Sequence, residues 1–456
     1  MSNETISNKP AGRVLDLTSS SITGTMLRFA LPMIAGNLLQ QLYNVADTLI
    51  VGRFLGSVAL AAVGSSYTLM TFLTSILLGL CMGSGAFFSI RYGEKDFSRL
   101  RAGIFASFTL IAALTFVINA AVFLWIDPIM RLLSVPVSVY GLMREYLWVI
   151  FFGIAATFLY NFFACLLRAA GNSVAPLWFL GVAALLNIGL DLLFVAVLGW
   201  GIGGAAAATI LAQYASAIGI GLYVCWCCRS LLPGKEQLHF DRPLTAGILR
   251  LGIPIALQDV LVGVSFLVIL AIVNSLGLLQ SAGMGIAEKV CAFVMLLPSA
   301  FSQSVSAFVA QNTGAGKPER AKKALRYSVA VSLCISVFVF YFNFFHGDLL
   351  AGIFANDHAV ILEAADYLKA YAIDCLLTSF LFCFVGYFSG LGKTVFVMTQ
   401  GILGAFGVRI PVSFAMSRLP NVRLFYIGLA TPCSTVVQVL LCLGYYAHLA
   451  RRERRA

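Results

Sequence analysis

The sequence predicts an all-α integral membrane protein: twelve transmembrane helices in two pseudo-symmetric six-helix bundles, a parallel repeat with its axis along the membrane normal. Three observations predict it. The 456-residue chain is 60% hydrophobic and only 11% charged, with a mean hydropathy of +0.93, whereas soluble domains carry about 25% charged residues. Apolar runs of roughly 20 residues or more recur along the whole chain, each long enough to cross ~30 Å of hydrocarbon. The chain also repeats itself. Leu27-Arg28-Phe29-Ala30-Leu31-Pro32 returns 222 residues later as Leu249-Arg250-Leu251-Gly252-Ile253-Pro254. Leu55-Gly56, Gly64 and Gly171 return at an offset of 221 as Leu276-Gly277, Gly285 and Gly392. A near-constant offset across so much of each half marks a duplication. A duplicated apolar bundle points to transport, with a substrate site between the halves near mid-bilayer.

Residues 1–25 are polar and form a cytoplasmic N-terminal tail. The first apolar run, 26–51, is too long for a signal-peptide core and reads as an uncleaved spanning helix. The next runs are 58–84, 104–126, 138–168, 175–198 and 202–228, and residues 26–228 make the N-terminal bundle. Small residues from Gly201 to Ala208 open the sixth run and let helices approach closely. Residues 229–246, with Pro233-Gly234 and several charges, form a cytoplasmic linker. The C-terminal bundle, 247–449, holds runs at 247–275, 279–311, 324–345, 361–389, 394–417 and 424–449, and residues 450–456 are a basic cytoplasmic tail. Gly93-Glu94-Lys95-Asp96 and Gly316-Lys317-Pro318-Glu319 occupy matching places as tight turns. Backbone groups find no water in lipid, so these runs must be helices. The alternation suited to a β-barrel is absent.

The net charge of +11 is explained by orientation rather than by nucleic acid. With both termini inside, 22 of the 30 Lys and Arg fall on cytoplasmic segments, 6 on outside segments and 2, Lys289 and Arg409, within helices. That split obeys the positive-inside rule and requires an even number of spans. The eleven cysteines mostly lie in apolar runs as small hydrophobes. Cys225-Trp226-Cys227-Cys228 is a weak candidate for palmitoylation, and no metal pattern has a matching second half. Gly390-Leu391-Gly392-Lys393-Thr394 lacks the first glycine of a phosphate-binding loop, since position 387 is Tyr387. The four histidines fall in loops or at helix ends, which argues against a membrane enzyme.

The informative residues are the polar ones at mid-membrane, where ionisable groups are costly and mark pathways. Gln40, Tyr43, Asn44 and Asp47 share one face of the first helix by their three- and four-residue spacing. Asn187 and Asp191 share a face of the fifth helix, and Thr209 lies in the sixth. Facing one another, Asp47, Asn187, Asp191 and Thr209 make an oxygen-rich cage with two carboxylates. Hard cations such as Na⁺ take such ligands. Two close carboxylates in low dielectric also resist double ionisation, so a proton is the other possible occupant. The structural alternative is that the acids only fix helix packing.

The duplication supplies a control. At an offset of 222, Asp47 falls on Ile269 and Asn187 on Arg409, while Asp191 falls near Pro411. Cation coupling should therefore belong to the first bundle. The second bundle has its own ionisable set: Asp259, Glu288, Lys289, Asp374 and Arg409. These pair internally as a neutralised network, or else Asp259 or Asp374 faces the central cavity and binds substrate or a second proton.

Several motifs in order resemble the multidrug and toxic compound extrusion (MATE) family. Pro32-x11-Asn44-x2-Asp47-x3-Val51-Gly52-x2-Leu55-Gly56 resembles its first helix. Leu167-Arg168-x2-Gly171-Asn172 resembles the end of its fourth helix, and Ala310-Gln311-Asn312-x-Gly314-Ala315-Gly316 the turn after its eighth. Arg409-Ile410-Pro411 resembles its eleventh helix. Phe388-Ser389-Gly390 departs from the family's Leu-Arg-Gly near the end of helix 10. The resemblance implies two bundles in a V and efflux driven by a Na⁺ or H⁺ gradient. It also places the coupling residues at Asp47, Asn187, Asp191 and Thr209. The expected function is export of organic cations by a single chain in a bacterial inner membrane, with no cofactor beyond the coupling ion and no catalysis. A flippase for lipids or lipid-linked precursors, built on a related two-bundle plan, is the rival, and the mostly acidic mid-membrane charges disfavour it.

Overall fold

A computed structural model of the chain describes residues 15–133, 135–239 and 241–455. Those residues are helical, with no strand among them. Ten helices are long and apolar enough to cross a membrane, and the pair Val137–Ile150 and Gly153–Ala169, bent by 45°, adds an eleventh span. The helical stretch Ile22–Glu94 holds 73 residues. At ~1.5 Å per residue it is about 110 Å long, far beyond one hydrocarbon thickness of ~30 Å. It divides at Gly56, whose φ of 84° and ψ of −178° lie outside any helix. The division gives twelve spans among the described residues.

In chain order these are α1 (22–55), α2 (57–94), α3 (Phe97–Leu124), α4 (the bent pair), α5 (Val174–Asp191, continuing as a π-helix over Leu192–Val197) and α6 (Gly201–Cys227). Next come α7 (Arg242–Asn274), α8 (Leu278–Val294 with Leu296–Gly314), α9 (Pro318–Phe345) and α10 (His358–Gly390). The last two are α11 (Thr394–Ile402, a π-helix over Leu403–Arg409, then Ile410–Met416) and α12 (Leu424–Gly428 with Ala430–Glu453). The chain forms two compact units. The first comprises the described residues up to Ser20 with Leu27–Ile248, and the second comprises Ser21–Met26 with the chain from Leu249 onward.

The repeated glycines have conformational causes. Gly56 and Gly277, at φ 84° and 143°, interrupt the chain between α1 and α2 and between α7 and α8. Gly171 and Gly392, at φ 88° and 71°, end α4 and α10. A side chain at such angles is strained. At Gly171 space adds a second reason, because a Cβ there would run into the Leu15 carbonyl. The Leu15 amide in turn donates to the Gly171 carbonyl at 3.1 Å, tying the N-terminal segment to the end of α4.

Each unit has its own core. In the first, Phe88, Phe108, Phe158 and Phe162 pack edge-on and tilted, with centroids 5.4–5.9 Å apart. In the second, Ile269, Val273, Met284, Leu368, Tyr371 and Ile427 belong to one buried cluster. There α8 and α10 approach through small residues. Gly386 lies against the Ser302 carbonyl, and Gly390 lies where a Cβ would stand 2.7 Å from the Ser306 carbonyl. Both pairs are four residues apart, which is the close-contact spacing of membrane helices. Gly390 thus keeps a packing role although Phe388 and Ser389 depart from the family pattern. Asp96 caps α3 by accepting from the Arg99 amide at 3.0 Å, and Pro318 opens α9 at a position that needs no amide donor.

Candidate functional site

The π-helical segment of α5 begins directly after Asp191. Such segments recur at functional sites because they shift side chains out of α-helical register. Asn187 and Asp191 are buried, at 2% and 0% exposure. Asp47 arrives from α1 and is half-buried. Its carboxyl lies within side-chain hydrogen-bonding reach of that of Asp191, and Asn187 stands one helical turn before Asp191 on α5. Asn187 Nδ2 also donates to Thr209 Oγ1 at 3.4 Å, while that hydroxyl donates to the Ala205 carbonyl at 3.1 Å. The four residues singled out by spacing therefore meet at one place in the first unit.

The chemistry of the meeting is one-sided. Asp47 Oδ1, both carboxylate oxygens of Asp191 and Asn187 Oδ1 are buried with no hydrogen-bond donor. Among the described residues no ion pair reaches either acid. The two carboxylates face each other acceptor to acceptor, which is repulsive unless a proton or a cation lies between them. With Thr209 Oγ1, the cage offers five oxygens from four side chains, and this hard, anionic donor set suits Na⁺ or H⁺.

Tyrosines and amides surround the cage. Both Tyr43 and the buried Tyr146 lie within electrostatic reach of the two acids. A cavity of about 80 Å³ opens beside them, lined by Gln40, Tyr43, Asn187 and Thr209 and by polar groups of α4 and α6, including Asn161 and Gln213. Asn44 does not line it, and its carbonyl accepts from the Thr48 hydroxyl at 2.7 Å. Asp259 is exposed on α7, Glu288 is half-buried and Lys289 exposed on α8, and Asp374 is buried on α10. All four belong to the second unit.

Sequence reasoning missed Tyr146, Asn161 and Gln213. Gln213 had a signal, since it sits four residues after Thr209 on the same helix face. Asn161 likewise follows Thr157, another cavity residue, at the same spacing. Tyr146 had none, because a tyrosine in an apolar helix is as readily an interfacial or core residue.

The MatE family model matches the chain twice, over residues 32–193 and 254–415. The chain belongs to the MatE family. The two matches are equal in length and opened by the repeated Pro32 and Pro254, so the duplication is a repeat of the family unit itself. Among the relatives of this MatE protein, the probable multidrug resistance protein YoeA of Bacillus subtilis is 26% identical over 95% of each chain. The probable multidrug resistance protein YpnP of the same organism is 29% identical over 91% of this chain and 90% of its own. The multidrug export protein MepA of Staphylococcus aureus is 26% identical over 88% of each. The outward-facing structure of a multidrug resistance MATE family transporter has the same fold, with a TM-score of 0.90 at 20% identity over 96% of this chain and 98% of that one. MatE proteins are multi-pass membrane transporters, which sets the helix count, the duplication and the mid-membrane acids in one frame.

Proposed function

We propose that this MatE protein is a secondary active antiporter that exports organic cations from a bacterium across its cytoplasmic membrane in exchange for H⁺ or Na⁺, working as a single chain. The carrying observation is the contact between Asp47 and Asp191, two carboxylates held together in the first unit with no cation of the chain to balance them. Asn187 and Thr209 complete the oxygen set. Binding a proton or Na⁺ there relieves the repulsion and draws α1 toward α5. Releasing it favours the state in which α1 is free to shift. An ion drives export only through unequal affinity for the two states, and a site built from two separate helices supplies that inequality. The names of the relatives, multidrug resistance and multidrug export proteins, support small-molecule efflux over the flippase reading.

The test is organic-cation export from everted membrane vesicles carrying Asp47→Asn or Asp191→Asn at matched protein levels. Either substitution removes one of the two charges and should cut gradient-driven export by about tenfold or more, equivalent to ~1.4 kcal/mol of lost coupling. Unchanged export in both would remove the acid pair from the mechanism.

A further inference from the structure

The adjoining ends of α9 and α12 carry charge that the ion site does not use. α9 opens at Pro318, and its first turns hold Glu319, Lys322, Lys323 and Arg326. α12 stays helical as far as Glu453, with Arg451 and Arg452 in its last turn and Arg454 and Arg455 directly after. Both ends belong to the second unit. One lysine joins them. Lys322 Nζ lies 2.9 Å from Glu319 Oε1 and 2.6 Å from Glu453 Oε2, and its side chain is only 19% exposed. This clasp holds the end of α12 against the start of α9 and occupies Glu319 and Glu453. Lys323, Arg326, Arg451, Arg452, Arg454 and Arg455 are all exposed, and among the described residues none of them forms an ion pair. The helix dipole favours cations in a last turn, which explains Arg451 and Arg452 alone. The positive-inside rule accounts for the number of basic residues at such an end, and not for an ion pair that gathers them.

The face of α9 that continues from these cations is apolar. Lys323, Arg326, Tyr327, Cys334, Val337 and Phe338 recur at helical spacing and share one side of the helix. Tyr327, Val337 and Phe338 are exposed there, as is Cys334, so no other element of the unit covers that side. From Arg326 to Val337 the helix rises ~16 Å, close to the hydrocarbon depth of one leaflet, ~15 Å. A lipid lying along this face sets its chains against Val337 and Phe338. Its headgroup then falls among Lys323, Arg326 and the arginines of α12. Tyr327 stands between the two regions, at the level where tyrosine favours the membrane boundary. Guanidinium groups grip phosphate oxygens in pairs, and a row of unbalanced cations selects a headgroup with net negative charge.

We propose that the clasped ends of α9 and α12 form a docking surface for the headgroup of an anionic phospholipid, held against the second unit. The proposal stands independently of the ion site in the first unit.

The test places the full-length protein in phosphatidylcholine bilayers. Electron spin resonance then compares the motionally restricted fractions of spin-labelled phosphatidylglycerol and spin-labelled phosphatidylcholine. Wild type should prefer phosphatidylglycerol by about threefold or more, and raised salt should weaken the preference. Lys323→Gln, Arg326→Gln, Arg451→Gln, Arg452→Gln, Arg454→Gln and Arg455→Gln together should remove most of it. Neutralising Arg28, Lys95, Arg99, Arg229, Lys235 and Arg242, six exposed cations of the first unit, should leave it in place. No preference in wild type, or equal loss in the two variants, overturns the proposal. Inorganic phosphate at matched ionic strength should displace no more label than chloride does. Specific displacement by phosphate would make this a site for a soluble anion and overturn the lipid reading. A last readout needs no variant: phosphatidylglycerol with a photocrosslinker on its headgroup should label wild type within 317–327 and 445–455. Labelling confined to other segments overturns the proposal as well.

Discussion

Asp191 is the single residue on which the proposed ion site turns most sharply. It has no exposed surface, and neither of its carboxylate oxygens has a donor. Replacement by Asn supplies a donor and deletes a charge, so Asp191→Asn should raise the thermal stability of the detergent-purified protein even as it ends coupling. A lower melting temperature would point to a structural role instead. Gly171 makes the converse case. An alanine there would meet both the left-handed backbone and the Leu15 carbonyl, at a cost of ~1–3 kcal/mol, and the check is a lowered melting temperature with unchanged helix content. The same N-terminal segment carries a pH signature. Burial pushes the Asp16 carboxyl up, but hydrogen bonds from Ser19 and Thr18 outweigh it and hold the group at about 2. Its folded value lies below the unfolded ~3.9, so its contribution is present above that value and lost as pH falls through about 2. Hydrogen exchange at the Ser19 amide, which donates to Asp16 at 3.1 Å, should stay slow above pH ~4 and quicken toward ~2. Protection that is flat across this window would contradict the assignment.

At the scale of elements, the contact between α8 and α10 depends on Gly386 and Gly390 facing backbone carbonyls, which cannot move aside as a flexible side chain can. Gly386→Leu should force the helices apart at ~1–3 kcal/mol or more, read as reduced yield of folded protein and a lower melting temperature. Wild-type stability would show that the helices slide freely. The elements also show what a sequence discloses. All twelve spans were legible, because hydrocarbon demands long apolar runs and charges interrupt them. The breaks at Gly56 and Gly277 fall in the gaps between the predicted runs, 26–51 and 58–84 in the first half and 247–275 and 279–311 in the second. The residues of the proposed ion site stood out because an acid in an apolar run is rare and helical spacing assigns its face. The π-helical segments of α5 and α11 were not legible, since neither Leu192–Val197 nor Leu403–Arg409 contains a proline, glycines such as Gly404 and Gly407 are common in membrane helices, and the register shift is settled by packing. Tyr146 and the cavity walls were hidden for the same reason: aromatic and small residues serve lipid, core and cavity alike.

At the scale of the whole molecule, the family unit is duplicated but Asp47 and Asp191 are not repeated in the second copy. Both halves match the same family unit, and the contact between Asp47 and Asp191 lies in the first. The account expects cells expressing the protein to accumulate less of a fluorescent organic cation than cells with an empty vector, and an uncoupler to abolish the difference. Accumulation indifferent to the uncoupler and to external Na⁺ would deny gradient coupling. The most direct test of the central claim uses proteoliposomes with Na⁺ and pH gradients imposed separately. Export should follow at least one of the two gradients in wild type and fall to the leak rate in Asp47→Asn and Asp191→Asn. Gradient-driven export that persists in both variants would contradict the claim that these carboxylates hold the coupling ion.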